Sequence, residues 1–295
     1  MIYYITPIIF IFFVIIFILR KKIVKNIKDF FYFLLSIYET RYTIYQLTTK
    51  DLTKRYLGSF LGVVWAFIQP LVYILVMWFV FSFGFRSGQT VNEYPFILWL
   101  ISAMIPWFFI SEILVQGSRS ILDYSYLIKK IVFRSSIIPV VKILTGLIIH
   151  LFFLVIIILF FFIHGYFPIL KWIQVLYYLL CSLVFLLGFS WLTSSVTVFI
   201  KDVPQFVNVI NQILFWFTPI FWPIEKVQST TTLGIIIRLN PFLYIIQGYR
   251  ESFLGTYWFW QHPLQTLYFW IITIFLFISG ALIFRKLKPH FPDVL

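Results

Sequence analysis

Hydrophobic positions along this chain come in long unbroken runs, not in the alternation of a strand or the three-to-four spacing of a half-buried helix. Residues 60–83, 94–116, 137–163, 172–199, 203–222 and 264–284 are almost wholly apolar, and so are residues 2–19. A helix needs ~20 such residues to cross ~30 Å of hydrocarbon, whereas a barrel strand needs only about 10. The runs therefore predict membrane-spanning helices. The first, residues 2–19, has no positive leader and no small-residue cleavage site and is followed by Arg20, Lys21 and Lys22. It reads as an added membrane helix, not as a secretory signal.

The interruptions are as informative as the runs. Residues 23–56 interleave aromatics with Glu39, Arg41, Lys50, Asp51, Lys54 and Arg55. That is too polar to span and suits an amphipathic helix lying in the inner interface, a plain cytoplasmic linker being the alternative. In "DLTKRYLGSFLGVVWAFIQP" (51–70) charge gives way to an apolar run at Gly58 and Gly62, a spacing that lets another element approach the backbone closely. The stretch 117–141 alternates Arg119, Asp123, Lys129, Lys130 and Arg134 with Ile121, Leu122, Tyr126, Leu127 and Phe133. It predicts a short helix that presses into a partner's groove. An ordinary basic loop would account for Lys129 and Lys130 but not for the apolar residues between the charges. Further on, Pro219 and Pro223 break the fifth core run near the outer boundary. "LNPFLYIIQGYRESFLG" (239–255) then starts a helix at Asn240-Pro241 that is too short to cross. A re-entrant or interfacial helix is expected, with Arg250 and Glu251 at the outer mouth.

Composition agrees. Of 295 residues, 62% are hydrophobic and 11% charged, far from the roughly 25% charged of soluble domains. The net charge of +13 raises the question of nucleic acid, but the distribution of the charges answers it. Of the 23 Lys and Arg, only Arg86, Lys171, Lys226, Arg238 and Arg250 fall outside if residues 20–59, 117–142, 200–202 and the C-terminus face the cytoplasm. The positive-inside rule favours that topology, with the N-terminus outside and the C-terminus inside. The lone cysteine, Cys181, forms no internal disulfide.

Chemistry-bearing motifs are missing. No G-x-x-x-x-G-K-[ST] loop or H-E-x-x-H motif occurs. The four histidines, at 150, 164, 262 and 290, are scattered, whereas a metal needs converging ligands. Glu112 is the single carboxylate clearly inside a run; a hydrogen bond to a neighbouring helix or a place near the inner interface is favoured over ion coupling. An uphill process would draw its energy from another chain or an ion gradient.

Taken in order, "TKRYLGSFLGVVWAFIQPL", "MIPWFF", "YLIKKIVFRSSIIPVV", "FTPIFWP", "LNPFLYIIQGYRESFLG" and "FRKLKPHF" resemble the permease subunit of polysaccharide-exporting ABC transporters, the type-2 class that exports O-antigen, teichoic acid and capsule. The likeness covers about residues 38–295. It implies an all-α integral membrane protein with six core transmembrane helices. An inner amphipathic gate helix and short external re-entrant helices accompany them, and the N-terminal helix is extra. The organisation is then 1–22 extra helix, 23–56 gate region and 57–295 exporter transmembrane domain.

The resemblance further implies a non-catalytic subunit in the bacterial inner membrane, paired with a second copy of itself and two ATPase subunits that hold the ATP and Mg. Its substrate is a lipid-linked glycan, and membrane lipids surround it. No cofactor sits on this chain and no nucleic acid partner is implied. The ATPase-coupling residues would be Asp123, Tyr124, Tyr126, Leu127, Lys129 and Lys130. Those of the gate helix would be Tyr45, Lys50, Asp51, Lys54 and Arg55, and the external helices would carry Asn240, Pro241, Arg250 and Glu251. Aromatic faces bind sugars without trapping them as charges would, which makes Trp65, Tyr73, Trp107, Trp216 and Phe217 candidates to line the channel. Three other readings remain: a type-2 exporter of small hydrophobic molecules; a membrane-embedded glycan-modifying enzyme, which would need converging polar residues at one membrane face; and a structural membrane scaffold with no transport.

Overall fold

The structure, a computed structural model, describes residues 35, 38–84, 90, 91, 94–130, 134–228 and 231–295. The predicted helix over 2–19 and most of the gate region before residue 38 lie outside the described residues. The chain divides into two compact units, Met1–Thr43 and Ile44–Leu295. In the described part of the first, the Arg41 guanidinium lies 5.1 Å from the Tyr38 ring.

The described residues form helices almost throughout. In chain order they are α1 (Arg41–Lys54), α2 (Trp65–Phe79), α3 (Phe96–Asp123), α4 (Ser125–Lys130), α5 (Ile138–Ile163), α6 (Gln174–Thr197), α7 (Val203–Phe217), α8 (Thr232–Arg238), α9 (Pro241–Leu254), α10 (Pro263–Leu287) and α11 (Phe291–Val294). A two-residue antiparallel pair, Thr90–Val91 with Tyr94–Pro95, precedes α3. Among the described residues, five helical stretches are long and apolar enough to cross a membrane: Gly62–Gly84, Phe96–Lys129, Ser135–Ile163, Leu170–Thr197 and Pro263–Val294.

Predicted run 203–222 differs from its helix. Helix α7 stops at Phe217 after 15 residues, about 22 Å at 1.5 Å per residue, short of a full crossing. The cause is Pro219. The residue before a proline is pushed out of the helical region, and Thr218 sits extended at φ −80°, ψ 131°.

Helix α3 is the axis of the bundle, with α5, α6, α7 and α9 against it. Between Leu98 and Ile110 nearly every side chain of α3 is buried, whichever way it points. Two glycines bring α6 close to its neighbours. A Cβ on Gly188 would lie 2.6 Å from the Phe277 Cα of α10, and one on Gly117 would lie 2.9 Å from the Ser190 Cβ of α6. By contrast α2 leaves Val72, Leu75, Val76 and Phe79 exposed, an apolar face that no described element of the chain covers.

Gly58 and Gly62 do something other than the close approach expected of them. A Cβ on either would meet nothing within 4 Å. Both have positive φ, 84° and 54°, the left-handed region that costs other residues roughly 1–2 kcal/mol. They let the chain turn from α1 into the 3-10 turn Gly62–Val64 that leads into α2.

Candidate functional site

Three constellations stand out. The first joins α1 to the α3–α4 joint. Ile44, Thr48 and Asp51 form the buried face of α1, so Tyr45, Lys50 and Lys54 point away from the bundle. Asp51 Oδ1 accepts a hydrogen bond from Tyr124 Oη at 2.8 Å and pairs with Lys142 Nζ of α5 at 2.7 Å. Lys142 Nζ is also 3.2 Å from Asp123 Oδ2. Arg55 lies 3.7 Å from Asp51 Oδ2 and forms an ion pair with Glu112 of α3. Buried charges persist only when paired and hydrogen-bonded, and here each has an opposite charge beside it. Burial alone would raise the Asp51 pKa; Lys142, Tyr124 and Arg55 outweigh it and hold the carboxyl below its ordinary value.

Glu112 thus bonds to a neighbouring element near one end of the bundle, as favoured from the sequence. Lys142, not singled out in the sequence, joins two carboxylates of the network, Asp51 and Asp123.

At Tyr124 (φ −113°, ψ 18°) α3 ends, and α4, Ser125–Lys130, follows as a separate six-residue helix. Lys54 Nζ of α1 lies 5.5 Å from the Tyr126 ring, which stacks with Tyr124 at 6.2 Å. Asp123 and Leu127 are half-buried while Tyr126 and Lys129 are exposed. The expected coupling residues therefore touch the expected gate residues, through Asp51 and Lys54.

The second constellation is a cleft of about 380 Å³ lined by Tyr73, Trp107, Phe108, Asn211, Gln212 and Trp216, with Phe215 and Ser111 at its walls. Tyr73 and Trp107 each meet the Phe215 ring, at 6.1 and 5.8 Å, and Trp216 meets it at 5.2 Å. Asn211 donates to Ser111 Oγ at 2.7 Å, which leaves its Oδ1 without a partner. Of the five aromatic candidates the cleft joins Tyr73, Trp107 and Trp216. Phe217 instead lines a separate apolar hollow with Trp222 and Leu233, and Trp65 sits at the start of α2. Ser111, Asn211 and Gln212 were missed in the sequence. Their only signal was that each is a polar residue inside an otherwise apolar run.

The third lies at the opposite end of α3. Asn240 caps α9, its side chain accepting from Phe242 N at 3.0 Å, with Pro241 at the first turn and Gly255 closing the helix at φ 68°. At 14 residues α9 measures about 21 Å, too short to span. Arg250 and Glu251 are not on an open mouth: they are 3% and 7% exposed. The Arg250 guanidinium stacks 3.7 Å from the Trp99 ring and donates to Pro219 O at 3.0 Å and Ile220 O at 2.9 Å. It thereby pins the Thr218–Trp222 bend against α3. Burial pushes the Glu251 carboxyl up to about 7. His262 Nε2 is 3.5 Å from Glu251 Oε2.

Residues 42–254 match the ABC-2 type transporter family, and the chain belongs to that family. It is similar to an O-antigen export system permease protein RfbA of Klebsiella pneumoniae, 28% identical over 250 residues that cover 84% of this chain and 93% of that protein. A second RfbA of that organism is 29% identical over the same length. The RfbA of Myxococcus xanthus is 24% identical over 260 residues, 88% of this chain and 97% of that one.

Proposed function

We propose that this chain is the membrane subunit of an exporter that carries a lipid-linked polysaccharide of the O-antigen kind across the cytoplasmic membrane. It works as a homodimer driven by two copies of a separate ATPase that hold ATP and Mg. The observation that carries the reading is the aromatic and amide cleft of Tyr73, Trp107, Asn211, Gln212 and Trp216, in a chain whose relatives are named for O-antigen export. A sugar ring offers C–H faces to aromatic rings and hydroxyls to amides. The cleft supplies both and no charge, so it can hold a sugar weakly and release it. The exposed apolar face of α2 and the exposed rings of Trp216 and Phe217 suit a second copy or the lipid tail of the substrate.

The polar junction supports the coupling. The ATPase docks on α4 at Tyr126 and Lys129. Displacement of α4 moves the α3–α4 joint at Tyr124. Tyr124 and Lys142 hold Asp51, so α1 is carried with the joint instead of sliding past it. On this reading the α1–α4 end faces the cytoplasm, the α8–α9 end faces outside, and the chemistry of hydrolysis stays on the partner.

The test is deletion of the gene followed by complementation. The reading requires loss of surface polysaccharide with glycan accumulating on its carrier inside the cell, restored by the wild-type gene. Unchanged surface polysaccharide would overturn it. So would accumulation of a small hydrophobic compound in place of glycan.

A further inference from the structure

Beside Glu251 lies a cavity of about 240 Å³ that the conduit does not use. It sits between α8, α9 and the start of α10, at the end of the bundle opposite the polar junction. Its walls carry two carboxylates, Glu225 and Glu251, the guanidinium of Arg238, the imidazole of His262, the amide of Gln265, and the rings of Tyr244 and Tyr268. Several of these groups are already fixed by protein contacts. Tyr268 Oη donates to Leu239 O at 2.7 Å, Tyr244 Oη bonds Thr266 Oγ1 at 2.9 Å, and Gln247 Nε2 donates to Glu251 Oε1 at 3.3 Å. The rings and one carboxylate are thus set in place before anything binds.

His262 Nε2 is different: it is buried and has no hydrogen-bond partner, and its nearest acceptor, Glu251 Oε2, is 3.5 Å away. Glu251 Oε1 is held by Gln247, and Oε2, beside the imidazole, is left to accept from a hydroxyl.

The lining also excludes other occupants. The carboxylates, the Arg238 guanidinium and the amides along the walls do not suit an acyl chain. Among the described residues no group of three His, Cys, Asp or Glu side chains converges to hold a metal. The volume corresponds to roughly eight waters at ~30 Å³ each, room for one six-membered ring with its hydroxyls and no more.

We infer that this cavity is a subsite for a single pyranose residue of a glycan that has already left the conduit. The inference rests on the export reading above and adds a place at the α8–α9 end of the bundle where the emerging chain is held. Tyr244 or Tyr268 would face the ring's C–H surface, while Glu251 would accept from one hydroxyl.

The test places benzoyl-phenylalanine at Gln265 of the full chain, in cells that make the glycan, with the same group at lipid-exposed Phe275 of α10 as control. After illumination, a glycan-bearing adduct is expected from position 265, at least fivefold above position 275. It should be absent in cells unable to start glycan synthesis. Glu225→Gln, which changes a solvent-exposed side chain, and Glu251→Gln should each lower the adduct at least threefold at equal protein level. Equal or absent adducts at 265 and 275 while surface polysaccharide is being made overturn the subsite and leave the export reading standing, as does an adduct that neither substitution lowers. Surface polysaccharide that does not depend on this chain overturns both.

Discussion

Lys142 on α5 and Asp51 on α1 lie 91 residues apart in the chain, and 2.7 Å separates Nζ from Oδ1. Their contact makes α1 part of the bundle at the point where α3 gives way to α4. Removing one partner strands the other as a buried charge, at a cost of about 3–5 kcal/mol. Lys142→Met should therefore lower the thermal unfolding midpoint of the purified chain sharply, and Asp51→Asn should do the same. The double change Asp51→Leu with Lys142→Met should recover part of that stability: no fully buried charge is stranded, but Tyr124 Oη loses its acceptor and Asp123 its cation. If coupling runs through this pair, export stays impaired in the double variant although the fold is restored.

Gly62 separates two explanations of a small residue. Its φ of 54° and the empty space around a Cβ predict that Gly62→Ala and Gly62→Leu lose about the same stability, roughly 1–2 kcal/mol. Gly62→Asn, which tolerates the left-handed region, should lose less. A loss that grows with side-chain size in thermal unfolding would instead mean that a second copy packs on this turn.

Gly188 behaves in the opposite way. A Cβ there meets the Phe277 backbone at 2.6 Å, and helix backbone yields only by moving α10 as a body. Gly188→Ala should cost ~1–3 kcal/mol and Gly188→Val more, read as a falling fraction of monodisperse protein after extraction.

The contrast between these glycines shows how far the sequence carries. The long runs mark their helices well, because a membrane span is a local property: the expected 137–163 lies within Ser135–Ile163, and 172–199 overlaps Leu170–Thr197. The apolar run stops at 116, yet Gly117, Ser118 and Ser120 beyond it are buried, and Gly117 lies against Ser190, so the helix runs on to Asp123. Asp51–Lys142, Arg55–Glu112 and Asn211–Ser111 join residues 91, 57 and 100 positions apart, and no local pattern encodes such pairs. Arg250 was placed at a mouth because charge suggests water. Its partners are backbone carbonyls and the Trp99 ring, which a sequence does not display.

Glu251 gives a pH dependence. Its carboxyl is raised from 4.5 to about 7, chiefly by burial, with Glu225 adding to the rise while Gln247 and Arg250 oppose it; His262 faces it at 3.5 Å. A raised folded-state pKa contributes stability that is complete below about 4.5 and lost as pH rises through about 7. The wild-type chain should unfold at a lower temperature at pH 8 than at pH 5.5, by on the order of 5 °C. Glu251→Gln should remove most of that difference. A difference unchanged by the substitution would assign the titration to another group.

The most direct measurement is transport in proteoliposomes that contain this chain, its co-purifying ATPase and a lipid-linked oligosaccharide loaded on the ATPase side. ATP should drive the oligosaccharide to the far leaflet only when both proteins are present, and Asn211→Leu with Trp216→Ala should slow it at least tenfold while the complex still assembles. Nucleotide hydrolysis by this chain alone, or oligosaccharide movement indifferent to the cleft, would contradict a conduit powered from outside itself.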